Sequence, residues 1–323
     1  MYLYKFKPIL KSTIWGGNKI IPFKQLDCND VNVGESWEIS CVPGDISVVA
    51  EGEDKGKTLK DLILEHKDKL VGKANYERFG NEFPLLIKFI DAADDLSIQV
   101  HPDDELAHRR HQSKGKTEMW YVVGNNDNTA HLKVGFKTII TPDEYEALIE
   151  NNTICDVLCE YEVKKDDIFF LPAGRVHSIG KGCFIAEIQQ TSNITYRLYD
   201  FNRKDEFGNV RELHTAESKE AINYNVLPDY RTNYTLVKDQ PVEVVACPYF
   251  NTSVYDLTED MIMDYSELDS FVIYICVEGS CTVTDELGNT CKLTQGQCVL
   301  LPATTQEVKI GVEKSAKFLE TFV

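Results

Sequence analysis

Residues 166–177 read DDIFFLPAGRVH: an acidic pair, four apolar residues, a Pro–Ala–Gly turn and, three residues later, a histidine. A short apolar run bounded by turn residues is typical of a buried strand. Residues 296–307 read GQCVLLPATTQE and repeat this pattern as far as Pro–Ala, with Glu307 in the place of His177. The repeat predicts two related β-rich units, of which only the first keeps the histidine.

Polar side chains interrupt other apolar, strand-like segments in a similar way. A strand over residues 96–101 places Gln99 and His101 on one face, and the next such segment places Lys116 and Glu118 together. Two imidazoles, one carboxylate and one amide form a donor set suited to a divalent ion, with zinc the first candidate. The candidate metal ligands are Gln99, His101, Glu118 and His177.

The composition excludes several classes of partner. A length of 323 residues predicts two domains. The formal net charge of −18 disfavours nucleic acid and anionic membranes, and an anionic small substrate would need a locally basic pocket. No apolar run approaches the roughly 20 residues of a membrane helix, and the N-terminus lacks a signal-peptide core. Ten cysteines without a CxxC pair predict reduced, mostly buried thiols and a cytoplasmic protein.

Strand signals dominate the chain, so we predict a mainly β fold with short peripheral helices. The predicted helices lie near residues 59–70, 103–105, 143–150 and 215–224. A polar, turn-rich segment at residues 227–233 predicts a boundary. It separates a catalytic domain, residues 1–232, from a barrel-like C-terminal unit without a metal site, residues 233–323.

Longer motifs give a family resemblance. They are KFKPIL (5–10), WGG (15–17), GESWEIS (34–40), QVHPDD (99–104), KTEMWY (116–121), PAGRVH (172–177) and QQTSNITYRLYDF (189–201). In this order they resemble the bacterial type I mannose-6-phosphate isomerases, and the strand–turn–histidine pattern resembles the cupin β-barrel. The resemblance extends from the first residues to about residue 215 and, loosely, through the C-terminal unit.

This resemblance implies tandem cupin-type (jelly-roll) barrels and a zinc-dependent isomerase of mannose 6-phosphate and fructose 6-phosphate, acting through a cis-enediol intermediate. It implies one Zn²⁺ per chain at the four candidate ligands, with Arg197 as the catalytic arginine and Lys116 as a second site residue. Only 58 residues separate Glu118 from His177, so the compact bacterial form is expected. The expected partner is a small phosphosugar, bound by a monomer or a small homo-oligomer.

The roles of single residues stay open at this level. Arg197 suits the developing enediolate, which we favour, or the phosphate, and Lys116 suits a base or a phosphate contact. The base that transfers the proton is unassigned. Gln99 fits either direct ligation or a contact to a ligand. Trp15 and Trp37 are expected to pack the N-terminal strands against the barrel.

Two other functions fit parts of the pattern. Two histidines and one carboxylate also form the iron site of oxygenases. A non-catalytic sugar-binding cupin would fit a unit that has lost its ligands, as the second unit has. The presence of both Lys116 and Arg197 favours an anionic sugar phosphate over the substrate of an oxygenase. The first unit has kept its candidate ligands, which disfavours the non-catalytic function for that unit.

Overall fold

The computed structural model describes residues 1–125, 130–204 and 207–323 and confirms the predicted fold class, mainly β with short peripheral helices. The strands within these residues are β1 (Ile9–Gly17), β2 (Val33–Ile39), β3 (Cys41–Val42), β4 (Asp45–Ile46), β5 (Leu85–Asp91), β6 (Ile98–Val100), β7 (Glu118–Asn125), β8 (His131–Phe136), β9 (Leu158–Glu162), β10 (Ile168–Leu171), β11 (His177–Ile179), β12 (Cys183–Gln190), β13 (Tyr196–Tyr199), β14 (Val242–Ala246), β15 (Asn251–Leu257), β16 (Met261–Asp264), β17 (Val272–Asp285), β18 (Thr290–Thr294), β19 (Cys298–Leu301), β20 (Glu307–Gly311) and β21 (Ala316–Phe322). The helices are α1 (Ile20–Lys24), α2 (Leu59–His66), α3 (Asp68–Val71), α4 (Lys73–Phe79), α5 (Asp104–His111), α6 (Pro142–Glu150) and α7 (Thr215–Ala221), with a short 3₁₀ turn at Ile154–Val157.

Three large antiparallel sheets form the molecule. The first has the strand order β1-β2-β5-β12-β7-β10, and the second has the order β13-β6-β11-β8-β9. Trp120 and Ile185 of the first sheet share a hydrophobic cluster with Leu132 and Ile179 of the second, so these two sheets enclose one interior. The third sheet has the path β14-β15-β21-β17-β20-β16, with β18 and β19 also paired to β17.

The first sheet is buried on both faces, which explains why its strands read as continuous apolar runs. On β7, Met119 and Tyr121 join a cluster that also contains Ile273 and Leu300 of the third sheet. Strand alternation therefore turns Glu118 toward the interior of the first unit. Lys88 of β5 and Glu187 of β12 lie at interior positions by the same alternation. The position of the domain boundary stays a prediction.

The internal repeat appears as an equal strand register. Phe169 pairs with Trp120, and Trp120 pairs in turn with Glu187. Val299, the counterpart of Phe169 in the repeat, pairs with Tyr274, and Tyr274 pairs with Glu320. Both units therefore carry a buried glutamate at the same position in the register.

The metal-site positions of the repeat have diverged. Glu118 pairs with Leu171, whereas the corresponding Leu301 pairs with Val272, so an apolar side chain stands at the position of Glu118. Glu307, at the position of His177, is exposed on β20. Among the described residues, the His/Glu cluster that could hold a metal therefore lies in the first unit.

The helix predicted over residues 59–70 is two helices. Thr58 caps α2 with a capping box to Asp61, but the chain leaves the helical conformation at Lys67, where φ is 51°. Leu70 and Val71 of α3 are buried in the same core as the apolar residues of α2, so the apolar spacing continues although the helix is interrupted. The other predicted helices are present, although α5 extends to His111 and α7 ends at Ala221.

All ten cysteines are free thiols, as predicted, but only four of them are buried and the other six are partly exposed, so the prediction of mostly buried thiols is wrong. Among the described residues, the helices are too short or too polar for any of them to cross a bilayer.

Gly174 shapes the turn that delivers His177, and this gives a first prediction. Its φ is +85°, its N–H donates to the His101 carbonyl at 2.8 Å, and an added Cβ would lie 2.9 Å from the Ala221 carbonyl oxygen. We expect Gly174→Ala to lower the free energy of unfolding by about 2 kcal/mol or more, measured by urea denaturation.

The matched control is Gly44→Ala. Gly44 has a similar φ of +90° with nothing within 4 Å of the added Cβ, so we expect only the backbone strain of about 1 kcal/mol. Equal losses in the two variants would show that the contact with Ala221 contributes nothing.

Candidate metal centre and adjoining cavity

Three predicted ligands meet inside the first unit. One ligand atom from each of His101, Glu118 and His177 lies within 4.8 Å of the others, and all three residues are buried. Nε2 of His101 lies 3.5 Å from Oε2 of Glu118, and Nε2 of His177 lies 3.3 Å from Oε1 of the same carboxylate. We refer to these three residues as the ligand cluster.

The backbone brings the cluster together through strand pairing. His177 begins β11 and pairs with Gln99 of β6, two residues before His101. Glu118 begins β7 in the facing sheet, and its side chain points into the same interior. Gln99 is also close, since its Nε2 lies 3.3 Å from Nε2 of His177, and rotation of the amide would present Oε1 there instead.

Both histidines are fixed in the tautomer that ligates through Nε2. Nδ1 of His101 lies 2.9 Å from the Ile194 carbonyl oxygen, and Nδ1 of His177 lies 2.8 Å from that of Arg175. A carbonyl only accepts, so each Nδ1 carries a proton and donates it. Burial lowers the pKa of both imidazoles, to about 4 for His177, and therefore both rings are neutral with an Nε2 lone pair facing Glu118.

This arrangement leaves several acceptors without a donor. Nε2 of His101 and both carboxylate oxygens of Glu118 are buried and have no hydrogen-bond partner among the described residues. The Lys116 ammonium lies 3.3 Å from Oε2 of Glu118 as an ion pair. Burial, followed by the charge of Glu187, raises the pKa of Glu118, yet one proton there would satisfy only one imidazole.

A divalent cation satisfies every one of these acceptors at once. Unpaired polar groups in a buried site are costly, so the donor set itself indicates a cation. Two imidazole nitrogens and a carboxylate, with an amide oxygen as a possible fourth donor, suit a borderline ion such as zinc.

A cavity of about 460 Å³ adjoins the ligand cluster. Its lining includes Gln99 and Lys116, which contact His177 and Glu118 respectively, and so it ends beside the cluster. Its charged lining residues are Lys88, Lys116, Arg197, Arg211, Glu35 and Glu187. Four basic residues against two acidic ones give a locally positive pocket on a chain of net charge −18, the condition set above for an anionic substrate.

Sequence reasoning missed a charged row on the wall of this cavity. The Lys88 ammonium lies 3.4 Å from Oε2 of Glu35 and 3.3 Å from Oε1 of Glu187. Indole N–H groups complete the row, from Trp37 to Glu35 at 2.5 Å and from Trp120 to Glu187 at 2.8 Å. Burial disfavours the Lys88 cation, but the two carboxylates outweigh it and raise the pKa of Lys88.

Glu187 is the carboxylate of this row that is buried beside the cluster. Burial alone would raise its pKa, but the Lys88 and Lys116 ammonium groups lower it, so Glu187 is ionised. Its Oε1 faces the Lys88 ammonium at 3.3 Å and has no other polar partner among the described residues. Glu118 was predicted as a site residue because it is a charged residue inside an apolar strand. Lys88 in LLIKFID (85–91) and Glu187 in CFIAEIQQ (183–190) show the same signal, so the sequence could have identified them too.

Arg197 lies where the family resemblance places a site residue. It pairs with Gln99 across β13 and β6 and lines the cavity. Among the described residues Arg197 forms no ion pair with Asp200, three residues along the chain, because that carboxylate binds Arg203 and Arg211. Nη1 of Arg197 donates to the Glu212 carbonyl oxygen at 2.9 Å, and its buried Nε has no hydrogen-bond partner among the described residues.

The expectation for Trp15 and Trp37 needs correction. Both side chains line the cavity rather than only packing the N-terminal strands. Trp15 approaches the backbone so closely that a Cβ at Gly34 would lie 2.6 Å from its ring. A glycine at residue 34 is therefore required for the tryptophan to occupy the wall of the cavity.

Comparisons with known proteins agree with this architecture. Residues 3–134 match the family described as "Phosphomannose isomerase type I, catalytic domain", and residues 242–315 match "Mannose-6-phosphate isomerase, cupin domain". The chain is 36% identical over 277 residues to mannose-6-phosphate isomerase ManA of Bacillus subtilis, covering 85% of each chain. It is 34% identical over 299 residues to the mannose-6-phosphate isomerase of Streptococcus mutans, covering 90% of this chain and 89% of that one.

A solved structure extends the similarity to the whole chain. The crystal structure of the mannose 6-phosphate isomerase from Bacillus subtilis superposes with a TM-score of 0.88 at 31% identity, covering 100% of both chains. The second unit matches a cupin family, which supports the prediction that both units are of the cupin type.

Proposed function

The chain belongs to the type I mannose-6-phosphate isomerases, and we propose that it interconverts mannose 6-phosphate and fructose 6-phosphate in the cavity beside His101, Glu118 and His177. One observation supports these residues as the site. His101 and Glu118 have buried acceptor atoms without hydrogen-bond partners among the described residues, and these atoms lie next to a positively charged cavity. The substrate class, a phosphosugar, suits that charge.

We propose zinc as the metal, one ion per chain, held by His101, Glu118 and His177 with Gln99 as the fourth ligand. Nitrogen and oxygen donors in this number favour zinc, and three or four protein ligands leave a position open for substrate. When bound, the ion supplies Lewis-acid stabilisation of negative charge on substrate oxygens.

The reaction moves one proton between neighbouring carbons. From the aldose, a base removes the proton at C2 and returns it to C1, while the hydroxyl proton on O2 is lost and O1 gains one. Glu187 is our candidate for the base, because it is ionised, lies in the cavity wall and is buried beside the ligand cluster. Trp120 and Lys88 fix its orientation.

Lys116 and Arg197 are the two basic cavity residues that we assign to the reacting end of the substrate. Lys116 is ion-paired with Glu118, which suits it to donate a hydrogen bond to a substrate oxygen rather than to act as a base. Arg197 lies opposite Gln99 and carries a free, buried Nε–H, so we assign it to the charge that develops on the enediolate.

We assign residues 233–323 to a supporting unit whose hydrophobic cluster is shared with the first sheet. Free thiols at all ten cysteines support a cytoplasmic location. The named relatives are isomerases, which leaves the oxygenase and sugar-binding alternatives without a specific observation in their favour.

The test is an assay of fructose 6-phosphate formation from mannose 6-phosphate, with glucose 6-phosphate as the control substrate. We expect about one zinc per purified chain, loss of activity on chelation, and recovery when zinc is restored. Full activity in protein shown by elemental analysis to be metal-free would refute the metal assignment, and no turnover with zinc bound would refute the function.

A further inference from the structure

The cavity holds a second arginine, Arg211, which has no role in the proton transfer between C1 and C2. Arg211 lines the same cavity as Arg197. The two guanidinium groups are near enough that Arg211, after burial, lowers the pKa of Arg197. Two cations placed together in this way need an anion to balance them.

Asp200 holds Arg211 in a fixed orientation. Oδ2 of Asp200 accepts from Nε of Arg211 at 2.6 Å, and Oδ1 accepts from Nη2 of Arg211 and Nη2 of Arg203 at 2.5 Å each. One buried carboxylate therefore serves two guanidinium groups, and Arg197 adds a third charge without an ion pair to Asp200. Nη1 of Arg203 also lies 3.7 Å from Oδ2 of Asp94, so three guanidinium groups face two carboxylates and one positive charge remains in excess. The two-point contact with Asp200 restricts rotation of the Arg211 side chain.

Distance along the substrate separates the roles of the two cavity arginines. In a hexose 6-phosphate the phosphate is at the opposite end of the carbon chain from C1 and C2. The residue that binds the phosphate must therefore line the cavity at the end away from the ligand cluster. Gln99 and Lys116 contact the cluster, Arg197 pairs with Gln99, and Arg211 is bound to Asp200 instead.

We propose that Arg211, held by Asp200, binds the 6-phosphate of the substrate, with Arg197 between it and the ligand cluster. This inference rests on the proposed function and deepens it, because it names the residue that makes the enzyme select phosphorylated sugars. A planar guanidinium fixed by a carboxylate is preorganised for a phosphate dianion and loses little side-chain freedom on binding.

The experiment compares zinc-loaded wild type with Arg211→Gln and Arg211→Lys. We expect Arg211→Gln to raise KM for mannose 6-phosphate roughly 10- to 100-fold, and to weaken competitive inhibition by inorganic phosphate by a similar factor. Arg211→Lys keeps the positive charge but loses the bidentate contact, so its KM and its phosphate inhibition are expected to lie between those of wild type and Arg211→Gln. Zinc content and melting temperature should stay close to wild type, since Arg211 is partly exposed.

Arg110→Gln is the matched control. Arg110 is also an arginine bound to a carboxylate, that of Glu220, but it lies on α5 outside this cavity, so its loss should leave KM and phosphate inhibition unchanged. Wild-type KM and phosphate inhibition in Arg211→Gln would reject the inference and leave the isomerase assignment intact. A parallel loss of kcat, zinc and melting temperature would assign Arg211 a structural role instead. No turnover by the wild-type holoenzyme would reject the proposed function, and this inference with it.

Discussion

A His177→Ala variant is expected to purify without its metal and to lose at least about 10³-fold in kcat. Its Nε2 faces Glu118 at 3.3 Å, and the Nδ1–H bond to Arg175 fixes the ring for ligation. Loss of a residue that only supports a ligand already weakens metal binding about 10- to 100-fold, so loss of a ligand itself should exceed that. The metal is worth several kcal/mol of charge stabilisation, and each 1.36 kcal/mol is about tenfold in rate. Elemental analysis and the isomerase assay measure both losses.

Two comparisons separate metal loss from misfolding. His108→Ala removes an exposed imidazole of α5 and should retain zinc and full activity. Glu118→Gln is nearly isosteric and removes one charged ligand, so it should lose the metal while the metal-free protein still unfolds in a single cooperative transition. A His177→Ala protein with one zinc per chain would remove His177 from the ligand set.

Glu118→Gln also carries a pH signature. Burial raises the pKa of Glu118 above its unfolded value of 4.5, so the folded metal-free protein binds a proton more tightly than the unfolded chain. The stability that this proton contributes is fully present below pH 4.5 and is lost as the pH rises through the folded value. Denaturation of metal-free wild type should show this loss relative to Glu118→Gln, in which nothing titrates at residue 118.

The sequence predicts the ligand cluster because each member breaks a local pattern. Gln99 and His101 are polar residues two apart in an alternating strand, and His177 follows a strand and a Pro–Ala–Gly turn. Strand alternation alone assigns such residues to one face, and burial of that face then demands partners. The helix over residues 59–70 was predicted less well, because a positive φ at Lys67 leaves no mark on the apolar spacing.

The rest of the cavity depends on cross-strand neighbours, which a single sequence does not reveal. Lys88 lies between Glu35 and Glu187 only because β5 pairs with β2 on one side and β12 on the other. Arg211 lies in an irregular segment, and its hydrogen bond to Asp200, eleven residues earlier in the chain, positions it at the cavity. Trp15 and Trp37 have the composition of ordinary packing residues, and only the fold shows that they face a cavity.

Glu187→Gln is expected to lower kcat by about 10²- to 10⁴-fold while zinc content stays at wild-type level and KM changes little. The amide preserves the size of the side chain and can still accept from the Trp120 indole, whose bond to Oε2 is 2.8 Å long. It cannot take up a proton. When the wild type acts on mannose 6-phosphate in D₂O, the base exchanges its proton with solvent and the product carries deuterium at C1. The variant should lose this incorporation together with turnover, as measured by NMR.

The internal repeat supplies the matched control for this variant. Glu320 occupies the same register position in the second unit and is likewise buried, but Tyr255 and Tyr265 donate to it and Val272 stands where the first unit has Glu118. Glu320→Gln disturbs a buried carboxylate of equal size, so it should change the melting temperature and leave kcat and deuterium incorporation unaltered. If Glu187→Gln behaved like Glu320→Gln, with stability changed and proton transfer intact, the base would have to be sought elsewhere in the cavity. Lys116, a titratable cavity residue that contacts the ligand cluster, would then be the first to test.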